Sequence, residues 1–320
     1  MLQLVWTWQP ALYLFLGGMG SGAFIMATGL FLMDKTRHRL IVSTSMWAAV
    51  ISLGVGLMLL VLELINPLRG ILLWQSFSHF TSWMTYGAWG AFCALVVWTV
   101  SAFIAVPSVN NRLVEKWGWY KRHGTKIRAV LGVIGAALAV FVAAYTGMLL
   151  KTAGGVPLWD TPLLPCLFTV SAFDTGVALV EVVAVVLSKK DPLAHHESMI
   201  MKRIVVVLVV LELAVLWVFL WVMLSANPTT SGGQAAASSA GLLVNGSLSV
   251  LFWSIVVVCG LVIPLTMAIC GLAMGERNTR HVMAFGAVGA LVGGCGLRFL
   301  ILAAGIHADV IGDTMSNLLL

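Results

Sequence analysis

The chain has 320 residues, of which 60% are hydrophobic and only 9% are charged. Its mean hydropathy of +1.02 lies far above that of soluble domains, so the composition excludes an ordinary soluble enzyme. The formal net charge of +6 could suggest an anionic partner such as nucleic acid, but the distribution of the charges favours another explanation.

Eight apolar segments are long enough to cross a bilayer as helices, which takes about 20 residues each. None alternates apolar and polar residues as a barrel strand does, so each segment is predicted to be α-helical. The predicted fold class is an all-α integral membrane protein, one domain over residues 1–320, with the eight helices in two four-helix bundles. The segments cover roughly residues 10–33, 43–65, 83–106, 127–150, 163–188, 204–225, 248–272 and 282–305.

Basic residues cluster on one side of the predicted membrane. Fifteen follow the first, third, fifth and seventh segments or begin the next one, whereas only Arg69 and Lys151 lie in the connections on the other side. Because cytoplasmic loops are rich in Lys and Arg, the fifteen-residue side is predicted to be cytoplasmic and both termini to lie outside, in the periplasm. We therefore expect a multi-pass protein of the cytoplasmic membrane that contacts lipid and does not bind nucleic acid.

Small residues form two patterns with different predicted roles. Gly18 and Gly22 form a GxxxG pair in the first segment, and Gly289 and Gly293 form another in the eighth, which predicts close helix packing. The sixth connection, NPTTSGGQAAASSAGLLVNGS, is uncharged and rich in small residues, and it is predicted to be a flexible loop on the outer side.

Histidines and cysteines do not form a pattern typical of a redox metal centre. All seven histidines fall in predicted loops or at helix ends, whereas membrane haem is usually held by histidines inside helices. The five cysteines include no CxxC pair. We expect no haem, no iron–sulfur cluster and no other metal in this chain.

Several ionisable or phenolic side chains fall within or at the ends of the apolar segments, where such groups are costly and are often functional. The predicted topology places six of them between the outer membrane face and the midplane, which indicates one polar pocket near the outer face. An ion pair of Arg298 with Asp174 or Glu63 that only specifies helix packing is an open alternative. The side chains are Tyr13, Glu63, Tyr145, Asp174, Glu181, Glu212 and Arg298.

An apolar pocket that offers a phenol, carboxylates and a guanidinium suits a quinone, which dissolves in lipid but has a polar, redox-active head. The predicted proton acceptors on quinol oxidation are Asp174 and Glu63, and a candidate proton path continues through Glu181 and Glu212. The predicted quinone-binding side chains are Tyr145, Tyr13, Arg298 and Lys151.

Four stretches resemble the NrfD/polysulfide reductase-type membrane subunits of complex iron–sulfur molybdoenzymes. Two departures from the family pattern are Glu63 and Asn66 in place of Asp and Arg in its Asp-Leu-Gly-Arg-Pro element. A third is Pro10 and Tyr13 where quinone-binding members can carry Asn and His. The four stretches are ALYLFLGGMGSGAF at 11–24, ELINPLRG at 63–70, SWMTYGAW at 82–89 and YTGMLLKTAGGVPLWDTPLLPCLFTVSAFDTGVAL at 145–179.

The resemblance implies an eight- or nine-helix subunit that binds menaquinol or ubiquinol near the outer face and carries no prosthetic group. Tyr145 aligns with a tyrosine that the family uses in quinone contact. The implied partners are a four-cluster ferredoxin-like iron–sulfur subunit and a molybdopterin catalytic subunit. We expect them to dock on the outward loops that carry Arg69, His79, Trp83, Trp159 and Asp160.

Two other functions remain open on the sequence. The buried carboxylates could serve a secondary transporter or a proton channel, although no pair of Gly/Pro-broken helices occupies corresponding positions in the two halves. The other alternative is a purely structural anchor for the partner proteins.

Overall fold

A computed structural model of the chain describes residues 8–35, 37–63, 83–152, 155–273 and 279–308, with only the backbone for residues 279–282. Within these ranges the structure is helical and contains no β-strand. Eight of the helices are long and apolar enough to cross a membrane. The sequence prediction of an all-α multi-pass membrane protein is confirmed.

Ten helices make up the described part of the structure. Their bounds are α1 Trp8–Met33, α2 Arg39–Leu62, α3 Trp83–Ala105, α4 Pro107–Lys116, α5 Gly118–Thr152, α6 Leu163–Leu187, α7 His195–Leu224, α8 Ser231–Val244, α9 Ser249–Ala273 and α10 Thr279–Ala303.

Two membrane helices begin earlier than the apolar pattern predicts. α5 begins at Gly118 rather than near residue 127, and α7 begins at His195 rather than near residue 204. Each extension is polar and basic, and a helix can continue past the hydrocarbon boundary because the headgroup region tolerates charge. The predicted cytoplasmic connections are therefore partly helical.

The short helices α4 and α8 occupy stretches that the sequence indicates as loops. The expectation of a flexible sixth loop is wrong, because residues 231–244 form a 14-residue helix. The hydroxyl of Thr230 caps this helix by accepting a hydrogen bond of 3.1 Å from the backbone N–H of Gly233.

Helix α1 is the centre of the bundle. It packs against α2, α5, α6 and α10, and 83% of its apolar stretch is buried, against 28% in α7. A helix that is apolar and buried on all sides belongs in the interior, whereas the other helices expose one face to lipid. Because α1 and α6 both contact helices from the beginning and the end of the chain, the division into two four-helix bundles stays a prediction.

Glycines allow two close helix crossings. Gly22 of α1 lies against Gly176 of α6, and Gly260 of α9 lies against Gly293 of α10. A Cβ at any of these positions would meet the backbone of the opposite helix. The sequence prediction that the GxxxG pairs serve helix packing is confirmed at both crossings.

Helix α9 contains an unusually long π-helical segment. Residues Phe252–Val262 adopt this wider winding, and Pro264 follows one residue after the α-helix resumes. The widened turn faces the glycines of α10, where the carbonyl of Cys259 would lie only 2.6 Å from a Cβ at Gly289. The segment therefore depends on a glycine-lined partner helix.

The two ends of the bundle differ in charge. The connections α1–α2, α3–α5 and α6–α7 lie at one end, called here the basic end, which is the predicted cytoplasmic side. The connections α5–α6 and α7–α9 lie at the other, called the opposite end, which is the predicted periplasmic side. The assignment of these ends to the two compartments stays a prediction.

Candidate functional site

Arg298 of α10 is a fully buried cation, with a relative exposure of 0%. It lies in the half of the bundle that is nearer the opposite end. Its Nη1 donates to Ser171 Oγ at 2.6 Å and to the carbonyl of Gly294 at 2.8 Å, and its Nη2 donates to the carbonyl of Phe168 at 3.2 Å. The guanidinium carbon also lies 5.2 Å from the centre of the Phe168 ring. Gly18 of α1 leaves room for the group, since a Cβ there would lie 3.4 Å from Nη2.

The alternative in which Arg298 forms a direct ion pair with Asp174 or Glu63 does not match the contacts of the guanidinium. Among the residues that the structure describes, the guanidinium bonds to a hydroxyl and two backbone carbonyls, and no carboxylate oxygen lies within ion-pair distance. Instead, Ser171 joins the cation to Glu212, because its hydroxyl also hydrogen-bonds the carboxylate of that residue. Glu212, which has no evident partner in the sequence, is thereby placed in the Arg298 network.

Helix α6 carries a row of polar residues down one face. Ser171, Asp174 and Glu181 are spaced by three and seven residues, so they lie one above another along about three turns. Asp174 interacts electrostatically with Glu212, Glu181 and Arg298. Its Oδ1 is buried and has no hydrogen-bond partner among the residues that the structure describes.

A small cavity lies between the lower part of this row and helices α7, α9 and α10. Its volume is about 10 Å³, which is enough for roughly one water molecule. The charged residues in its lining are Asp174, Glu181 and Lys202, and most of the other lining residues are apolar, including Ala178, Val205, Pro264 and Ala290. A water at this position would have polar partners on two helices.

Lys202 is the functional candidate that the sequence interpretation missed. The charge pattern counts it with the cytoplasmic loops, but it lies inside α7 and is only 2% exposed. Its Nζ donates to the carbonyl of Gly271 at 3.0 Å, and the ammonium interacts with the carboxylate of Glu181. Helical periodicity could have found it, because Lys202, Val205, Val209 and Glu212 repeat every three or four residues and form one buried stripe.

Tyr13 and Tyr145 form a second buried group near the opposite end. They are 3% and 7% exposed and lie close enough to interact electrostatically. The ring of Tyr145 fills the space left by Gly87 of α3, where a Cβ would overlap it. Tyr13 packs on α2, where a Cβ at Gly56 would lie 3.3 Å from its ring.

Helix α1 separates the tyrosine pair from Arg298. Tyr13 faces α2 and α5, whereas Phe15 and Gly18 face α10 and α6. The packing therefore favours two separate positions for Tyr145 and Arg298, whereas the sequence predicts that they share one pocket. Since the guanidinium is enclosed by α6 and α10, its position favours a role within the buried network over direct contact with a quinone.

The two remaining predicted site residues lie at helix ends. Lys151 is half-buried in the last turn of α5, and Glu63 is partly exposed at the end of α2. Partial burial raises the pKa of the Glu63 carboxyl above its usual value. Neither residue belongs to the buried network that the described contacts define.

The predicted docking residues fall into three groups. Trp83 is 47% exposed, and Asp160 is also exposed, so both are accessible to a partner. Trp159 is only 2% exposed and its Nε1 donates to the carbonyl of Ile301 at 3.0 Å, which corrects its predicted docking role: it fixes the α5–α6 loop to the end of α10. Arg69 and His79 lie outside the described residues.

The described residues contain no group of three or more His, Cys, Asp or Glu side chains placed to hold a metal ion. The described polar groups offer phenolic hydrogen bonding by the tyrosine pair and proton exchange along the row of buried carboxylates.

Comparison with known proteins identifies the family. The family model described as "Polysulphide reductase, NrfD" matches residues 1–308. The chain belongs to the NrfD/polysulfide reductase family. It is 28% identical to the C component of the polysulfide reductase of Wolinella succinogenes, over 94% of both proteins, and 27% identical to NrfD of Escherichia coli, over 94% of this protein and 95% of that one. The C component of the selenate reductase of Mesobacillus selenatarsenatis is 22% identical over 54% of this protein and 46% of its own length.

Three of the four stretches that resemble the NrfD family, at 11–24, 82–89 and 145–179, meet one another in the described part of the fold. The first stretch contributes Gly18 and Gly22, which lie against Ala172 and Gly176 of the stretch at 145–179. The stretch SWMTYGAW contributes Gly87, which accommodates the ring of Tyr145 from that same stretch. The family pattern therefore describes two helix contacts, one beside Arg298 and one beside the tyrosine pair.

Proposed function

We propose that the chain is the quinol-binding membrane subunit of a respiratory oxidoreductase complex. It passes electrons between menaquinol or ubiquinol and an iron–sulfur subunit docked at the opposite end, the predicted periplasmic side. The observation that carries this proposal is the buried Tyr13–Tyr145 pair near that end, in a chain of the NrfD family.

The tyrosine pair suits the head group of a quinol. The ring of Phe141 stacks on that of Tyr145 with centroids 6.2 Å apart, and the two phenols offer hydrogen bonds to the ring oxygens of a quinol. Trp83 lies one helical turn beyond Gly87 on α3 and is exposed at the bundle end. An electron acceptor docked on Trp83 would therefore sit close to a quinol held by Tyr145.

Oxidation of one quinol releases two electrons and two protons. The electrons pass to an iron–sulfur cluster of the partner protein. The protons pass to carboxylates of this chain, for which Glu63 at the end of α2 and Asp174 in the buried row are the proposed acceptors. Glu63 is the more accessible of the two, and its raised pKa keeps a proton on the carboxyl to higher pH than usual.

The buried row provides a proposed route for protons toward the basic end. It runs from Asp174 to Glu181 on α6 and then to Lys202 on α7, with the small cavity between them. Glu212 joins it through Ser171. A proton that moves along this row crosses part of the membrane, so its transfer would contribute to the membrane potential.

The proposed partners are a four-cluster ferredoxin-like iron–sulfur subunit and a molybdopterin catalytic subunit. Support comes from two relatives whose names describe them as components of polysulfide and selenate reductases. The proposed docking surface contains Trp83 and Asp160, together with Arg69 and His79 from the sequence between α2 and α3. Trp159 supports this surface from beneath by holding the α5–α6 loop to α10.

The test is the substitution Tyr145→Phe in the intact complex. This variant keeps the ring that packs on Gly87 but removes the hydroxyl. We expect quinol-dependent turnover to fall about tenfold or more, since a lost hydrogen bond to a charged or reacting group contributes ~1.5–3 kcal/mol. Electron transfer from an artificial dye directly to the catalytic subunit should not change.

The matched control is Tyr120→Phe, which removes the hydroxyl of a buried tyrosine at the basic end, where it donates to Asn110 Oδ1 at 3.1 Å. This variant should keep quinol turnover within about twofold of the native complex. Unchanged quinol turnover in a fully assembled Tyr145→Phe complex would contradict the proposal.

A second candidate function, a proton channel or secondary transporter, is favoured by the cavity between Asp174, Glu181 and Lys202. A channel would conduct protons through the purified protein in vesicles without any quinol, and Glu181→Gln would abolish that flux. The quinol-binding subunit instead requires quinol oxidation for any proton movement. Passive flux measured with a trapped pH-sensitive dye separates the two functions.

A further inference from the structure

An open groove of about 560 Å³ lies at the basic end, away from the site described above. It forms where the α1–α2 connection meets the α6–α7 connection. Its lining includes Arg37, Arg39, Leu40, Lys190, Asp191 and Leu193.

A buried histidine fixes the two walls of this groove. His38 has a left-handed backbone, with φ 52°, and is only 4% exposed. Its Nδ1 lies 3.4 Å from Oδ1 of Asp191, and its Nε2 lies against Oε2 of Glu197. Because Asp191 and Glu197 both lie in or beside the α6–α7 connection, the histidine ties that connection to the start of α2.

Asp191 adds a second tie between the same walls. Its Oδ2 accepts hydrogen bonds from the backbone N–H of Leu40 at 2.9 Å and of Ile41 at 3.2 Å, which are otherwise unbonded first-turn groups of α2. The carboxylate is therefore occupied by the histidine and two N–H groups. The groove is a feature built into the fold and does not depend on a chance arrangement of two loops.

The charge that this groove presents is positive. Arg37, Arg39 and Lys190 are all exposed side chains in its lining. Asp34 Oδ2 lies 4.0 Å from Arg37 Nε, but this ion pair is solvent-exposed and neutralises little of the positive charge of the groove. The groove therefore has three cations in its lining, and its carboxylate, Asp191, is already hydrogen-bonded within the protein. This arrangement favours binding of an anion that can accept several charged hydrogen bonds.

The groove is also partly apolar and adjoins the lipid-facing surface. Leu40 in its lining is 37% exposed, and Leu32 and Met33 at the neighbouring end of α1 are 41% and 44% exposed. A soluble phosphate ion has no apolar group that could pack against this surface. A molecule with an anionic head and an apolar tail matches both parts.

We propose that this groove binds the phosphate-bearing headgroup of an anionic phospholipid. Arg37, Arg39 and Lys190 contact the phosphate, and an acyl tail lies along Leu40 and Met33. Basic pockets between membrane helices on the cytoplasmic side are suited to such headgroups, and phosphate accepts the forked hydrogen bonds of guanidinium.

The experiment is native mass spectrometry of the full-length protein released from detergent that contains equal amounts of phosphatidylglycerol and phosphatidylcholine. The native protein should retain phosphatidylglycerol in preference to phosphatidylcholine. The variant Arg37→Ala/Arg39→Ala/Lys190→Ala should lose at least about tenfold in this preference, because each basic residue near an anionic headgroup contributes roughly fivefold.

The matched control is Lys35→Ala/Lys116→Ala/Lys189→Ala, which removes the same charge from exposed residues outside the groove lining. It should keep the preference within about twofold. An equal loss in both triple variants would show diffuse attraction to a basic surface and would overturn the proposal, as would full retention in the groove variant.

Two further arms test the built site and the source of the phosphate. Asp191→Asn makes the groove more positive but loosens both ties, so lipid retention should fall; stronger retention would show that charge alone decides and would overturn the proposal. Inorganic phosphate in roughly tenfold molar excess over the lipid should not displace phosphatidylglycerol, since it lacks the apolar part. Displacement would assign the groove to a soluble anion instead.

Discussion

Gly87→Ala is the sharpest test of how Tyr145 is positioned. A Cβ on Gly87 of α3 would overlap the ring of Tyr145, which is only 7% exposed and packs in the interior between α3 and α5. The ring cannot swing toward lipid without leaving its place beside Tyr13. The substitution therefore forces either the ring or the α3–α5 contact to shift.

The size of the effect follows from packing. Overpacking a close contact by one methyl group costs about 1–3 kcal/mol in the free energy of unfolding, whereas replacing a helical glycine by alanine gains up to ~1 kcal/mol. Gly54→Ala supplies the matched control, because a Cβ at that position of α2 would meet nothing within 4 Å. The difference between the two variants isolates the overpacking cost, which we expect to be about 1–3 kcal/mol.

The assay is unfolding of the full-length protein by titration with sodium dodecyl sulfate in mixed micelles, together with quinol-dependent turnover of the intact complex. Tyr145→Ala provides the second arm of a double-mutant cycle, because it removes the ring that the new methyl group strikes. In that background Gly87→Ala should cost less than about 0.5 kcal/mol. If Gly87→Ala is as stable as Gly54→Ala, or if the alanine at position 145 gives no relief, the assigned contact is wrong.

Three other substitutions test separate parts of the structure. Arg298→Leu should destabilise the protein by about 3–5 kcal/mol in the same titration, because it leaves the buried carboxylates Asp174 and Glu212 without the cation that interacts with both, and Arg298→Lys should recover part of that loss. Trp159→Phe should cost about 1 kcal/mol by removing the hydrogen bond to the carbonyl of Ile301, and hydrogen exchange of the α5–α6 loop should speed up. Glu63→Gln should flatten the pH dependence of stability. Since burial raises the pKa of Glu63 in the folded protein, its stabilising contribution is complete below the unfolded value of about 4.5 and is lost as pH rises through the raised value. Unfolding measured between about pH 4 and pH 8 checks this, and an unchanged slope would contradict it.

The apolar pattern predicts the membrane helices well and their ends poorly. All eight predicted segments are helical over all but a few terminal residues of their described parts, because a helix satisfies the backbone hydrogen bonds of so apolar a stretch within the segment itself. The starts of α5 and α7 lie nine residues earlier than predicted. Hydropathy marks where the hydrocarbon ends, whereas a helix ends where its hydrogen bonds do, so hydropathy alone places the basic extensions in loops.

The candidate site divides into a part that the sequence predicts and a part that it does not. Burial of Tyr13, Tyr145, Asp174, Glu181 and Arg298 follows from their places within long apolar segments. Which of them meet depends on how the helices rotate about their axes. No local pattern of a single sequence specifies that rotation, so the buried residues of the single predicted pocket form two groups on different sides of α1.

Lys202 shows the same limit from the other direction. Its charge indicates a loop, yet the 3.6-residue period places it on the buried stripe of α7 with Glu212. A buried ammonium needs a carbonyl or a carboxylate, and Gly271 and Glu181 provide both. The charge of Lys202 predicts an exposed loop position, whereas the helical period predicts burial. The period is right because the groups that stabilise the buried ammonium come from other helices.

The arrangement of the two buried groups bears on how electron and proton transfer could be joined. α1 lies between the tyrosine pair and the Arg298 network and contacts both, through Tyr13 on one side and Gly18 on the other. A quinol that displaced Tyr13 would shift α1, whose glycines Gly18 and Gly22 lie in van der Waals contact with α6. Such contacts transmit small displacements because the interior is closely packed. The carboxylates of α6 would then change their distance from Arg298, and with it their affinity for protons. Coupling of this kind requires no direct contact between quinol and Asp174, so substitutions at the Gly22–Gly176 crossing should separate quinol oxidation from proton movement while leaving the tyrosine pair intact.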